Sequence, residues 1–196
     1  MAVDRSRIAL GRRQPIRPRI SGYGFLRTSA PRFAAWHQTL LTLSDAMSDN
    51  WLVFIPTDPE ALPSRAAADR AVELLKTFVP EAYGEVLAKF AERTVFHCGG
   101  GNWSGVICPK CGTDVEGWWM DAMDKAWASE FKNLSVTTPC CRHSTTLNDL
   151  NYVWPAGFSR FVLEAMNPNI RQTTAEQDRA LSEALGLKLR KIWIHI

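Results

Sequence analysis

The sequence has no long hydrophobic run. No stretch of its 196 residues reaches the roughly 18 consecutive apolar residues that a membrane-spanning helix requires. The residues after Met1 also lack an apolar stretch long enough for a secretory signal. We therefore expect no membrane span and no membrane partner.

The motifs of common catalytic sites are missing as well. The sequence contains no His-Glu-x-x-His of a zinc protease and no Gly-x-Ser-x-Gly of a hydrolase. The glycines from Gly99 to Gly101 are not followed by the Gly-Lys-Ser/Thr of a phosphate-binding loop. His97 lacks the Glu two residues later that a zinc deaminase requires. The sequence therefore favours a non-catalytic protein, with an enzyme of unknown class that carries a structural zinc as an alternative.

Net positive charge is confined to the start of the chain. Residues 1–46 hold eight arginines, no lysine and two acidic residues, whereas residues 47–196 hold 15 basic and 18 acidic residues. Arg-Pro and Gly/Ser pairs in the first segment favour extended chain over helix. Residues 1–46 are either a basic, disordered leader or the product of a mis-assigned start, and we favour the second interpretation, with initiation at Met47. Residues 47–196 are then a single domain.

Periodicity within residues 47–196 predicts an α+β fold with a mixed or antiparallel sheet and about three helices. The helices are expected from Ser64 to Phe78, from Gly117 to Phe131 and after a capping box of Thr174 and Gln177, with Gly186 as the stop. A further short helix is possible at residues 81–91. The predicted strands are Trp51 to Ile55, Thr94 to His97, Trp103 to Ile107, Leu134 to Thr138, Thr145 to Leu147, Asn151 to Trp154 and the C-terminal residues. The segment from Phe158 to Ala165 fits either a strand or a helix, and its β-branched and aromatic residues favour a strand.

Two details of the strand pattern carry specific expectations. Gly99 to Gly101 should form the turn of a hairpin between the strands on either side. In the last strand, the apolar alternation changes parity between Leu189 and Ile192, which predicts a bulge near Arg190 and Lys191. We find no internal repeat in the sequence.

The strongest chemical signal is Cys108-Pro109-Lys110-Cys111-Gly112. Two thiolates separated by two residues can bind one tetrahedral metal ion from a single tight turn. Pro109 fixes φ for that turn, and Gly112 permits the left-handed conformation that points backbone N–H groups at the sulfurs. This segment therefore predicts half of a metal site.

A second group of ligands follows further along the chain, in Pro139-Cys140-Cys141-Arg142-His143. The intervening segment is long enough to hold a helix and a strand and to return the chain to the first turn. Cys140 is one expected ligand, and either Cys141 or His143 completes a set of four. Five cysteines, four of them in two tight groups, indicate metal ligation in a reducing compartment rather than disulfides. We therefore expect a cytoplasmic protein with one structural zinc, although spacing alone also permits iron.

The segment from residue 107 to about residue 152 resembles the zinc-ribbon class, because Cys-Pro-x-Cys-Gly is the commonest sequence mark of that class. It departs from the pattern in its second half, which lacks a second Cys-x-x-Cys. The resemblance covers about a quarter of the chain. It implies a structural zinc and, since zinc ribbons often serve nucleic-acid machinery, a possible role with nucleic acid.

The remaining candidates carry weaker signals. Cys98 is interpreted as a half-buried spectator thiol, and His97 and His195 as packed strand residues rather than catalysts. A nucleic-acid partner is the first alternative function, but residues 47–196 contain no dense basic run. The favoured function is a protein-binding domain of the regulator or inhibitor type, with Trp154 and Phe158 as candidate contacts.

Overall fold

The computed structural model describes residues 49–196, so the predicted leader at residues 1–46 lies outside the described residues. Three helices and antiparallel strands give the α+β fold that the sequence predicts. In chain order the elements are β1 Asn50–Pro56, α1 Arg65–Phe78, β2 Val86–His97, β3 Val106–Ile107, α2 Glu116–Ala128, β4 Ser135–Thr137, β5 Ser144–Thr146, β6 Asn151–Tyr152, β7 Gly157–Met166, α3 Ala175–Leu185 and β8 Leu189–His195.

A four-stranded antiparallel sheet forms the larger part of the described structure. Its strand order is β2-β7-β1-β8, so β1 lies between the two strands that come last in the sequence. Helices α1 and α3 cover one face, where Leu52, Phe54, Leu75, Phe161 and Leu181 form the centre of the main hydrophobic core. Burial on this scale is the principal driving force for the fold.

Helices α1 and α3 begin and end where local sequence signals place them. The Ser64 side chain accepts a hydrogen bond from the N–H of Ala67, and the Thr174–Gln177 capping box is formed in both directions. Gly186 follows α3 with φ of 68°, a left-handed conformation that glycine adopts without strain. The predicted starts of α1 and α3 and the predicted stop at Gly186 are confirmed.

Among residues 49–196, no helix has the length and apolar character needed to cross a bilayer.

The bulge predicted near Arg190 and Lys191 is wrong. Strand β8 pairs with β1 in one unbroken register, from Leu189 opposite Pro56 to His195 opposite Asn50. The parity change instead reflects a strand that is apolar on both faces. Leu189 and Trp193 pack against the main core, whereas Ile192 joins a second cluster with Val53, Ile55 and Val162.

The expected short helix at residues 81–91 is also wrong, since Val86 to His97 form the long strand β2. Helix-forming residues such as Ala88 and Lys89 are held extended by pairing with β7, which shows how tertiary contacts override local propensity. The register of this pairing shifts between Phe90 and Val95.

The hairpin predicted around Gly99 to Gly101 does not form. Strand β3 pairs with β6 rather than with β2. The glycine segment lies instead against the end of β8, where the N–H of Gly101 donates to the carbonyl of His195 at 2.7 Å. A Cβ atom on Gly100 would lie 2.5 Å from that same carbonyl oxygen, so the close approach requires glycine.

An aromatic cluster joins the end of the main sheet to the cysteine-bearing segment. Phe96 of β2 contacts the rings of Trp103, Trp119, Tyr152 and Phe158 at centroid distances of 4.8 to 6.4 Å. Helix α2 contributes Trp119 and three smaller buried residues to this region. The helix ends at Ala128, earlier than the predicted end at Phe131, and the chain then turns through positive φ at Glu130 and Phe131.

A buried hydrogen-bond network supplies a second connection. Asn148 is 3% exposed, and its Oδ1 accepts bonds from the N–H of Phe158 at 3.0 Å and from Arg190 Nη1 at 3.1 Å. Its Nδ2 donates to the carbonyl of Thr57 at 2.8 Å. One amide side chain therefore links β7, β8 and the end of β1 to the turn before β6.

We expect Asn148→Ala to lower the free energy of unfolding by about 3 kcal/mol, because it leaves the buried N–H of Phe158 without an acceptor and removes the bonds to Thr57 and Arg190. The matched control is Asn133→Ala, which removes an exposed 3.0 Å bond to the N–H of Ser135 and should cost less than about 1 kcal/mol. Urea unfolding followed by tryptophan fluorescence measures both. Equal losses in the two variants would contradict the role of Asn148.

Candidate metal centre

Two turns that are well separated in sequence bring four cysteines together. The first turn follows β3 and carries Cys108 and Cys111. The second connects β4 to β5, which pair as a hairpin, and carries Cys140 and Cys141. Helix α2 and β4 lie between the two turns in sequence and return the chain to the first one.

Backbone hydrogen bonds define the first turn. The N–H of Cys108 donates to the carbonyl of Thr113 at 2.8 Å, and the N–H of Gly112 donates to the carbonyl of Cys108 at 3.0 Å. Gly112 has φ of 73°, the left-handed conformation expected from the sequence. The Cys111 sulfur lies 3.3 Å from the hydroxyl of Thr113. Local sequence therefore builds this half of the centre.

The second turn is built around Thr138, a residue that the sequence analysis did not single out. Its N–H donates to the carbonyl of His143 at 2.9 Å, and its carbonyl accepts from the N–H of Arg142 at 3.0 Å. The Thr138 hydroxyl accepts from the N–H of His143 at 3.2 Å and lies 3.6 Å from the Cys141 sulfur. Arg142 adopts φ of 55°.

The four sulfurs of Cys108, Cys111, Cys140 and Cys141 all lie within 4.8 Å of one another. The Cys108 and Cys141 sulfurs are 3.7 Å apart, and those of Cys111 and Cys140 are 3.3 Å apart. A tetrahedral ion with metal–sulfur bonds of about 2.3 Å requires sulfur separations of about 3.8 Å. This cluster can therefore bind a metal ion, and His143 is not a member of it.

The four thiols differ in burial and in acidity. Cys108 is fully buried, Cys141 is half-buried, and Cys111 and Cys140 are exposed. Desolvation by itself raises the pKa of the Cys108 thiol, but backbone N–H groups at Cys111 and Lys110 and the Thr138 hydroxyl stabilise the thiolate and lower that pKa to about 6. The thiolate is the form that binds a metal.

Cys140 has the opposite tendency. Desolvation of its sulfur, together with hydrogen bonds to the sulfurs of Cys111 and Cys108, raises the pKa of its thiol to about 11. Hydrogen bonds from Thr113 lower the pKa of the Cys111 thiol. Metal ligands are thiolates, so binding of a metal ion to this cluster must release the protons that its thiols carry.

The structure places the other candidate residues away from the cluster. Cys98 is half-buried and does not join the group of four sulfurs. The His195 ring nitrogen Nδ1 lies 2.9 Å from the Asn50 side-chain oxygen. Trp154 donates its indole N–H to the carbonyl of Trp193 at 2.7 Å, and Phe158 is fully buried. Phe158 therefore presents no surface to a partner in this structure.

His97 has a ring nitrogen that is cut off from solvent. Its Nε2 atom is buried and has no hydrogen-bond partner among the described residues. Burial lowers the pKa of His97 from 6.5 to about 4, against a backbone hydrogen bond at Ser159 that raises it. The folded protein therefore holds this ring neutral, which fits a packed residue.

Comparison with known proteins gives no match to a family model, to a curated protein or to a solved structure. The chemistry of the cysteine cluster is therefore inferred from its own geometry.

The pKa of His97 predicts an acid-sensitive fold. Below about pH 6.5 the unfolded chain binds a proton that the folded chain takes up only near pH 4, so the free energy of unfolding falls through this window, by about 3 kcal/mol at its acid end. Urea unfolding at pH 7 and pH 5 measures the difference. His97→Gln should reduce it by about 2 kcal/mol relative to the wild-type chain.

His195→Gln is the matched control and should keep the wild-type difference between the two pH values. Any loss of a bound metal in acid would affect the wild-type chain and both variants alike, so the comparison isolates His97. An unchanged difference in His97→Gln would show that this ring does not carry the effect.

Proposed function

We propose that the described residues form a zinc-stabilised domain in which Cys108, Cys111, Cys140 and Cys141 bind one structural zinc ion. The observation that carries the proposal is the convergence of these four sulfurs from two separate turns. All-thiolate tetrahedral sites bind zinc or iron. Zinc has no redox chemistry, so a zinc site needs no electron-transfer partner. Cys141, rather than His143, is the fourth ligand in this proposal, and the segment 107–152 is a zinc-ribbon-like module.

The size of the surrounding strands supports a structural role for the metal. Strands β3 and β6 pair through two residues each, and β4 and β5 through three. Ribbons this short are not stable by themselves in water. A metal ion bound by both turns would fasten them to each other, and four protein ligands would leave no open position for catalysis.

The charges of the two turns support the proposal that they bind a metal ion. Four thiolates around one zinc ion carry a net charge of −2. Lys110 lies in the first turn and Arg142 in the second, beside the ligand sulfurs in sequence. A cation in each turn offsets part of this negative charge, as Coulomb attraction over short distances predicts.

We further propose that the domain binds a protein partner, as a regulator or inhibitor in the cytoplasm, through the surface around Trp154. A shallow depression of about 500 Å³ lies there. Its lining combines two tryptophans, two cations and several amides: Asn50, Asn102, Trp154, Pro155, Arg171, Gln172, Lys191 and Trp193. Tryptophan and arginine are the side chains most often found at the energetic centre of interfaces.

The charges at this depression favour an acidic contact on the partner. Lys191 is paired with Asp178 at 2.7 Å, whereas Arg171 is exposed and takes part in no ion pair among residues 49–196. Val153 precedes the lining residue Trp154 in sequence and is 53% exposed, but its own side chain does not line the depression. An apolar side chain beside an acidic one would complement Val153 and Arg171.

Metal content tests the first proposal. The purified chain should hold about one zinc ion, and Cys108→Ser should lose most of it and unfold at lower temperature, because zinc binding is coupled to folding. Cys98→Ser is the control, since Cys98 lies outside the cluster, and it should keep the metal. Elemental analysis and a thermal melt measure both properties. A metal-stripped chain that melts at the wild-type temperature would refute the structural role.

Capture of partners tests the second proposal. The double variant Val153→Asp with Arg171→Glu should lose the proteins that the wild-type chain captures, because it removes an apolar contact and reverses a charge. Met120→Ser is the control, since Met120 is another exposed apolar residue, at 39%, and neither lines the depression nor adjoins a lining residue in sequence. Capture that both variants retain, or that nuclease treatment abolishes, would count against this surface and in favour of nucleic acid.

A further inference from the structure

The two cysteine turns are copies of one structure at a constant offset in sequence, with Thr138 in the place of Cys108. In the first, the N–H of Cys108 bonds to the carbonyl of Thr113, and in the second the N–H of Thr138 bonds to that of His143. The bonds that close each turn, from Gly112 to Cys108 and from Arg142 to Thr138, are both 3.0 Å long. The equivalent residues Gly112 and Arg142 both have positive φ.

The equivalence extends into the chain on each side. Ile107 forms an antiparallel bridge with Asp114 across the first turn. Thr137 pairs in the same way with Ser144 across the second turn. Thr137 follows Ile107, and Ser144 follows Asp114, at the same offset that separates Thr138 from Cys108. The repeat therefore covers residues 107–114 and 137–144, although these segments share only a proline and a cysteine at matching positions.

This correspondence gives each cysteine a position within its turn. Cys111 and Cys141 are equivalent. The equivalent of Cys108 is Thr138, and the equivalent of Cys140 is Lys110. The second turn thus carries a threonine where the first carries its buried cysteine, and an extra cysteine at a position that the first turn leaves to an exposed lysine.

Thr138 occupies the position in the second turn that the ligand Cys108 occupies in the first. It is fully buried, as Cys108 is, and its hydroxyl lies 3.7 Å from the Cys108 sulfur and 3.6 Å from the Cys141 sulfur. A neutral hydroxyl there can donate a hydrogen bond to a thiolate but is a poor ligand for a soft-ligand site. Three of the four sulfurs therefore occupy the positions that the repeated turn defines, and the Cys140 sulfur does not.

We propose that Cys140, at the position equivalent to Lys110, is the exchangeable ligand of this centre. Cys108, Cys111 and Cys141 hold the metal firmly. This inference rests on the proposed zinc site. The coordination position of Cys140 is then open to exchange with an external soft ligand, such as the thiolate of a small molecule or of a partner. Cys111 is also exposed, so exposure alone does not separate the two residues. Their positions in the turn do.

Relocating the ligand tests the proposal directly. Cys140→Ser should weaken zinc binding by less than about 100-fold, which is the largest loss typical for a residue that only hydrogen-bonds to a metal ligand. Cys141→Ser should cost more than that. Competition with a chelating dye measures the affinity. The double variant Thr138→Cys with Cys140→Ser should regain wild-type affinity, because it returns the thiolate to the position equivalent to Cys108. A double variant that binds zinc no better than Cys140→Ser would overturn the proposal.

Alkylation of the zinc-loaded Cys98→Ser chain provides a second measurement that needs no change in the cluster. With limiting iodoacetamide, the Cys140 thiolate should displace iodide, form the new carbon–sulfur bond and leave the metal, before any other cluster cysteine reacts. Peptide mass spectrometry identifies the first site. Modification of Cys111 first, or of all four together, would overturn the proposal, whereas a wild-type chain that holds no zinc would instead overturn the metal centre itself.

Discussion

Four thiols from two turns meet at one point, and the middle of the described chain is arranged around that meeting. The strands that lead into the turns are two or three residues long, so their own pairing contributes little stability. Close approach of four thiols without a cation is electrostatically unfavourable once they ionise. A metal ion bound by the four cysteines would remove that conflict and link the short ribbons.

The cysteine-bearing segment packs against the main sheet through the aromatic cluster at the ends of β2 and β7. There Phe96 contacts Phe158 and also the rings of Trp103, Trp119 and Tyr152. Asn148 and Arg190 add a polar connection beside it. Apolar packing buries hydrophobic surface between the two parts, and the buried hydrogen bonds fix the register between them.

The centre has an inner and an outer side. Cys108, Cys141 and Thr138 form the inner side, where burial and hydrogen bonds stabilise one arrangement. Cys111 and Cys140 form the outer side, in contact with solvent. The second turn contributes a buried threonine to the inner side, where the first turn contributes its buried cysteine. If Cys140 is the exchangeable ligand of a structural metal, as we propose, the centre would combine a structural role with access for a partner.

Sequence alone determined the features that depend on a few neighbouring residues. Ser64, Thr174 and Gly186 mark helix ends because capping bonds and left-handed φ are local properties. Cys108 and Cys111 were identifiable for the same reason, since their turn is closed by its own backbone. The α+β class also followed, from the alternation of apolar residues along the chain.

Only the tertiary structure decided the features that depend on a distant partner. Residues 86–91 became a strand because β7 lies beside them, and Gly100 packs against β8 instead of turning a hairpin. The place of Cys141 in the cluster, and the part played by Thr138, came from the meeting of two turns whose repetition is nearly invisible in sequence. Local preferences amount to a fraction of a kcal/mol per residue, whereas pairing and burial against remote segments are larger and have no local signature.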